Sequence, residues 1–570
     1  MNRVFLGLEQ APLLSAARWL VQRQLESFPG GDEIDLQDFV LVLPTTRSND
    51  RLLQLLVREA AAVERSLIPP IITTIGQLPE FLYVAEKQLA SDLAQQLAWS
   101  QALAATPADE IRVLTGRTEV DDLQDWQPLA TLISRLHTRL ANDIWSLRSV
   151  AREVKKDTGF LQEESARWDA LDAMQSRYYS ILLDVDLWDR QASRNYAASG
   201  LLKNNEIRCS TDKQIVLIGT ADLNRSVSEM VRQIQSSNPN QVNILIAADE
   251  SMAEGFDSFG CLITDYWLNA KIDIPDEQIL IVDQPADQAD AAAYFLSNLP
   301  NGFFTDEMTI GVPDSEIVPQ LERSLNAIGV RHRNLAGRPL AETSPMLLML
   351  AAKEYLESQD FLSFASLVRH PELFEWLSKQ VGRNDWLREL DEHQNVFLPH
   401  LVPLNLREPF GSPSQRRSDF DPDDAGAKRR AEGAARVSQT LNQIHGLIGD
   451  LLKPLSGPAR PIADWTAPWS EILVAVYGHR TLDSQDFGDR QIIKACDAIY
   501  TALGNQRQVP SDFKTETNAS QALSWAVQAA SDTRVVPPAI PEAVELAGWL
   551  DLPLDDATVM VVTGMNDEHV

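Results

Sequence analysis

The feature that most constrains this chain is a series of short, uninterrupted apolar runs. Each ends in a polar turn, and most lead into a block with helical periodicity. The clearest is Phe39-Val-Leu-Val-Leu43, which passes into Pro44-Thr-Thr-Arg-Ser-Asn-Asp50 and then into a stretch carrying Leu52, Leu53, Leu55, Leu56 and Val57. A strand with no polar alternation is buried on both faces, as in a parallel sheet covered by helices on either side. Ile71-Ile-Thr-Thr74 repeats the pattern and feeds a helix near Gly76-Gln77. Further runs lie at 214–219, 242–247, 279–283, 308–312 and 558–563. Two long blocks between them, about 83–179 and 346–530, read as almost wholly helical. The expected fold class is α/β, with two parallel-sheet domains that each carry a helical insertion.

At roughly 150 residues per domain, 570 residues make about four such units. The expected division is 1–82 with 206–272 for the first sheet, and 83–205 for its insertion. The second sheet takes 273–345 with 541–570, and its insertion 346–540. A final strand followed by a loop and little else would leave sheet uncovered, so the chain is expected to continue in its parent protein. Fifty basic against 81 acidic residues give a net charge of −31. That excludes a generally basic nucleic-acid coat but not a narrow basic groove. Three cysteines far apart, Cys209, Cys261 and Cys496, make neither a disulfide framework nor a zinc motif. With no apolar run of about 18 residues and Glu9 inside the N-terminal apolar stretch, no membrane span or signal peptide is expected. The expected compartment is reducing and cytoplasmic.

Five segments, in order along the chain, carry a family resemblance: Leu43-Pro-Thr-Thr-Arg47, Ile72-Thr-Thr-Ile-Gly-Gln-Leu78, Ile215-Val-Leu-Ile-Gly-Thr-Ala-Asp-Leu-Asn224, Gly329-Val330 with 336–343, and Val561-Val-Thr-Gly-Met-Asn-Asp-Glu568. Together they resemble the AddB/RexB group of helicase–nuclease subunits. The resemblance implies a UvrD-like superfamily 1 helicase architecture with two RecA-like domains, followed in the whole protein by a PD-(D/E)XK nuclease. It also implies work in double-strand-break processing and recombinational DNA repair. The implied partners are single-stranded or end-unwound DNA and an AddA-type motor subunit. By that resemblance Thr45, Thr46 and Arg47 form the loop that touches single-stranded DNA, and Thr74 and Gln77 face the same groove.

The departures from that pattern are chemical. A phosphate-binding loop needs glycines for backbone donors, a lysine for charge and a hydroxyl for Mg²⁺. The equivalent stretch, Phe5-Leu-Gly-Leu-Glu-Gln-Ala-Pro-Leu-Leu-Ser15, has one glycine, no lysine, and Glu9 and Pro12 in place. The second nucleotide motif puts Ile218 where a metal-holding acid belongs, with Asp222 four residues beyond. Asp512-Phe-Lys514 and Glu153-Val-Lys155 mimic the short nuclease element without a Pro-Asp upstream. Pro313-Asp314 and Pro275-Asp276 lack the downstream partner. The expectation is therefore a helicase-like scaffold without ATPase activity, with no cofactor and no catalytic residue in this chain, that guides single-stranded DNA. A nuclease metal would belong to the continuation. The alternative is a protein-interaction scaffold with a degenerate helicase fold and no DNA binding.

Other features read more plainly. Thr45 could simply cap the following helix, and Arg47 could pair with Asp50 or Glu59. Asp419–Asp424, in a polar stretch expected to be mobile (412–426), fails the calcium-loop pattern: positions 6 and 12 are Asp424 and Arg430. Eight scattered histidines form no ligand pair. Arg148–Lys156 reads as a solvated helix face, and Trp126, Trp145, Trp168 and Trp188 as core.

Overall fold

The computed structural model describes residues 2–115, 126–156, 162–199, 209, 211–300, 303–400, 425–513 and 516–566. They form two compact units. One comprises the described residues within Met1–Ala90, Ala98–Ala336 and Ala539–Val570. The other comprises those within Ser91–Leu97 and Gly337–Pro538. Apart from Ser91–Leu97, the first helical block thus shares a unit with both sheets, and the second makes up the rest of the other unit.

The first sheet has five strands: β1 (Asn2–Phe5), β2 (Phe39–Leu43), β3 (Ile71–Thr74), β4 (Gln214–Ile218) and β5 (Val242–Ile246). All pairings are parallel and the order is β1-β5-β4-β2-β3. Alternation within β2 explains its wholly apolar sequence, because successive side chains serve opposite faces. Val40 and Val42 pack with Val227, Met230 and Val231 of helix α6 (Arg225–Ser237) on one side. Phe39, Leu41 and Leu43 join the cluster of Leu13, Ala16 and Leu20 from α1 (Pro12–Ser27) and Leu52, Leu55 and Leu56 from α2 (Thr46–Ala62) on the other.

Between β3 and β4 the chain makes helices that include α3 (Gln127–Asn142), α4 (Leu147–Lys156) and α5 (Gln162–Asp184). Their core holds a buried polar network. Trp99 stacks on Tyr178 at 3.9 Å, and the Tyr178 hydroxyl donates to Asp189 Oδ2 at 2.6 Å. Asp189 Oδ1 meets His137 Nε2 at 3.0 Å and the Ala192 N–H at 2.6 Å. Burial alone would raise the Asp189 pKa; His137 and these hydrogen bonds outweigh it and leave the carboxyl below its ordinary value.

The second sheet has four strands: β6 (Met308–Gly311), β7 (His332–Asn334), β8 (Val544–Ala547) and β9 (Val559–Val562). They are parallel in the order β7-β8-β6-β9. Helices α7 (Pro285–Ser297) and α8 (Val318–Ala327) cover it through Ala289, Ala292, Leu321 and Leu325, which pack with Ile310 and Leu546. The chain leaves this sheet after β7 and returns at β8, and the helical unit lies between in sequence. The chain is therefore α/β with two parallel sheets.

One expected strand is absent. Ile279–Asp283 follows a short 3-10 turn as extended chain, with Ile279, Leu280 and Ile281 exposed at 54%, 72% and 90%. The strands flanking β6 are β8 and β9, so this apolar run has no place beside it.

In the helical unit, Trp386, Trp465, Trp469 and Trp525 are buried. Three of their indoles find acceptors: Ser378 Oγ at 3.1 Å, the Thr517 carbonyl at 2.8 Å and the Ala519 carbonyl at 2.9 Å. Such pairing is what a buried indole N–H needs. No helix among the described residues is long and apolar enough to cross a membrane. The 412–424 stretch with its acidic run, Lys514 and Asp567–Val570 lie outside the described residues, as do the side chains of 425–438.

Candidate functional site at the carboxyl ends of the first sheet

Parallel strands present their ligand-facing loops at their carboxyl ends. Leu43 of β2 lies opposite Thr74 of β3, so the two threonine-rich loops emerge side by side. Thr45 caps α2: its hydroxyl oxygen accepts the Ser48 N–H at 3.2 Å. That hydroxyl also donates to Asp551 Oδ1 at 2.5 Å. Thr46 is exposed, and Thr74 is half-buried at the end of β3. Gln77 is exposed, with its N–H on the Thr74 carbonyl at 3.0 Å and its Oε1 accepting the Thr73 hydroxyl at 3.2 Å.

Arg47 points elsewhere. Its Nη2 lies 2.5 Å from Glu545 Oε2 and 2.6 Å from Asp555 Oδ2, and its Nε donates to Glu545 at 3.1 Å. The Asp555 side chain is only 1% exposed. Burial alone would lower the Arg47 pKa, but the carboxylates of Asp555 and Glu545 raise it above its ordinary value. The alternative pairing with Asp50 or Glu59 does not occur; Glu59 pairs with Arg18 at 3.0 Å instead. One turn further along α2, Arg51 donates to Asp556 Oδ2 at 2.9 Å. Glu545 is shared with Arg333 of the neighbouring strand, at 3.1 Å. Three residues of the α2 start thus grip the segment that returns through β8, and the sequence had offered none of its four acids as a site.

That segment also fills space. After β8 the chain makes a 3-10 turn, Trp549–Leu554, which inserts two leucines at the sheet ends. Leu554 is 1% exposed and belongs to the same cluster as Leu13, Leu43 and Ile218. It sits against Gly219, the residue after β4, where a Cβ would lie 2.6 Å from Leu554 Cδ2. Gly219 also has φ +59°, so glycine is required there on two counts. Leu552 packs likewise on Gly311, where a Cβ would come within 2.8 Å. Burial raises the Asp551 pKa above its ordinary value, even though Thr45 and Arg47 pull the other way.

In the β1–α1 loop, the stretch compared above with a phosphate-binding loop, some of the backbone donors are engaged. Leu6 N–H and Gly7 N–H go to the carbonyls of Ile246 and Ala248, at 2.9 and 3.1 Å. Pro12, the first residue of α1, has no N–H. Leu14 and Ser15 both turn their N–H groups to the Ala11 carbonyl, at 3.0 and 3.1 Å. Glu9 is exposed on the loop.

The remaining sequence candidates disperse. Arg148, Lys155 and Lys156 pair with Asp172, Asp169 and Glu153 at 3.1, 2.6 and 2.6 Å. Trp126 is buried, and Trp168 is half-buried with its indole on Glu164 at 3.0 Å. Trp188 stacks on Tyr196 with centroids 5.7 Å apart, whereas Trp145 is 37% exposed rather than core. Asp314 caps a turn through the Glu316 N–H at 2.9 Å. The three cysteines are unpaired, and burial pushes the thiols of Cys209 and Cys261 up to about 12 and that of Cys496 to about 11. None is a ready nucleophile at neutral pH. Among the described residues no three His, Cys, Asp or Glu side chains converge to hold a metal.

The chain matches no protein-family model and no curated protein.

Proposed function

We propose that this chain is a helicase-like scaffold of AddB type that does not hydrolyse ATP, that supports an AddA-type motor subunit, and that guides single-stranded DNA in double-strand-break processing. The observation that carries the proposal is Leu554 seated on Gly219, at the carboxyl end of the first sheet. A motor binds nucleotide at such strand ends and moves one sheet against the other. Here a segment of the second sheet's own chain occupies that end and is pinned by Arg47, Thr45 and Arg51. Two parallel sheets, each interrupted by a long helical block, support reading them as RecA-like domains with insertions.

One observation favours a second reading, a protein-interaction scaffold with no DNA ligand. Arg47, the one cation of the threonine-rich loops, is already neutralised by two carboxylates. The loops then offer hydroxyl and amide donors only, from Thr46, Thr74 and Gln77.

Fluorescence anisotropy with a labelled oligo-dT across a salt series separates the two. The DNA-guiding reading predicts binding with slight sequence preference and an affinity that falls as salt rises. No binding at 50 mM salt would remove DNA as a ligand and leave the interaction scaffold.

A further inference from the structure

Beside these loops the first sheet opens onto a cleft of about 690 Å³, between the end of α3 and the β4–α6 connection. Arg139, Asn142 and Asp143 line it from α3 and the residue after it; Asp222, Asn224 and Arg225 line it from the connection. Arg232, from the second turn of α6, lies on its wall. We propose that this cleft binds the phosphodiester backbone of a single nucleic-acid strand, with Arg139 and Arg225 as the phosphate contacts. The proposal rests on the DNA-guiding reading above.

Arg139 and Arg225 are exposed, and neither has a hydrogen-bond or ion-pair partner among the described residues. Elsewhere in the unit Arg47, Arg51, Arg148, Arg177 and Arg194 face carboxylates, while the exposed Arg112, Arg135, Arg152, Arg323 and Arg331 have no such partner but do not line this cleft. Two guanidiniums left open on one cleft, with a third close by, make a local set of phosphate donors that the net charge of −31 conceals. Arg232 is steadied by Glu229 at 2.6 Å and lies over the Phe259 ring, 5.1 Å from its centroid.

The backbone adds to the charge. Arg225 is the first residue of the 13-residue helix α6, and Asn224 caps it by accepting the Val227 N–H at 2.9 Å. The positive end of that helix therefore opens on the same cleft as the arginines.

The acids in the cleft select the kind of phosphate. With Arg232 paired to Glu229, Asp143 and Asp222 balance the charges of Arg139 and Arg225, so the cleft has no surplus positive charge for a multiply charged anion. A phosphodiester, with one negative charge per nucleotide, asks less of it than a pyrophosphate or triphosphate. The cleft is also placed for a strand, because β4 is the neighbour of β2 on the side away from β3. The ends of β3 and β4 are two strand spacings apart, roughly 10 Å, with β2 between them.

The test compares the wild-type chain with Arg139→Ala/Arg225→Ala by anisotropy with labelled oligo-dT across a salt series. Both side chains are exposed, so the variant should keep the wild-type Tm, and Arg139→Lys/Arg225→Lys should keep most of the binding. The alanine pair is expected to weaken binding about tenfold or more and to reduce the salt slope by about 1.4, two single-strand phosphate contacts. If the wild type binds and the alanine pair matches its affinity and slope, the cleft is not the phosphate site, while the DNA-guiding reading stands. If the wild type does not bind, both fall. Titration with inorganic pyrophosphate is expected to show no micromolar binding. A micromolar Kd that the alanine pair abolishes would assign the cleft to a free anion and overturn the strand.

Discussion

Arg47→Ala is expected to destabilise the sheet-bearing unit by about 3–5 kcal/mol, the cost of leaving a buried carboxylate without its cation. Asp555 is 1% exposed, and its Oδ1 is fixed by the Thr309 hydroxyl at 3.1 Å and the Ala557 N–H at 2.7 Å. It cannot turn to water when Arg47 is removed. Adding Asp555→Asn should restore part of the loss, because the charge goes while most of its hydrogen bonds remain. Arg47→Lys should restore less than the wild-type value, since one ammonium cannot serve Glu545 and Asp555 as a guanidinium fork does. Hydrogen exchange would localise the effect: amides of 545–556 should exchange faster in Arg47→Ala. A denaturation midpoint equal to that of the wild type would mean that the ion pair does not secure the segment.

Leu554→Ala should cost about 2–5 kcal/mol, the range for emptying a buried leucine site that cannot fully collapse. The surrounding cluster is strand and helix from the first sheet, Leu13, Leu43 and Ile218, held rigid by their own elements. Leu550 on the same turn is 59% exposed, so Leu550→Ala is the control and should change stability by less than about 0.5 kcal/mol. Equal effects of the two substitutions in urea unfolding would refute the plug.

The strands that a sequence makes legible here are those buried on both faces. Phe39–Leu43, Gln214–Ile218 and Val242–Ile246 sit centrally or near it, so their runs are apolar at almost every position. Two of the four edge strands hide, unlike the more apolar Ile71–Thr74 and Val559–Val562. Asn2-Arg-Val-Phe5 and His332-Arg-Asn334 pair on one side only and carry polar residues. Val544-Glu-Leu-Ala547 is broken by Glu545, whose charge is needed for Arg47 and Arg333. Ile279–Asp283 misleads in the other direction, because an apolar run reports burial propensity and not the presence of a neighbour.

At the site, the strand-end position of Thr45–Arg47 and Thr74–Gln77 was legible. The partner of Arg47 was not. Glu545 lies 498 residues away, and one sequence holds no signal for a pairing at that separation. The same limit hid Arg139 and Arg225, which stand 86 positions apart on elements that only the fold brings to one cleft.

The carboxyl end of the first sheet, where the proposed reading would put a nucleotide, is closed by the chain itself. Isothermal titration of the chain with Mg²⁺-ATP tests it most directly. The plug of Leu554 on Gly219, the missing N–H at Pro12 and the exposed Glu9 together predict no binding heat up to millimolar nucleotide. A saturable isotherm with a micromolar Kd would contradict the account, because it would require the Trp549–Leu554 turn to leave the sheet end and Arg47 to release Glu545 and Asp555.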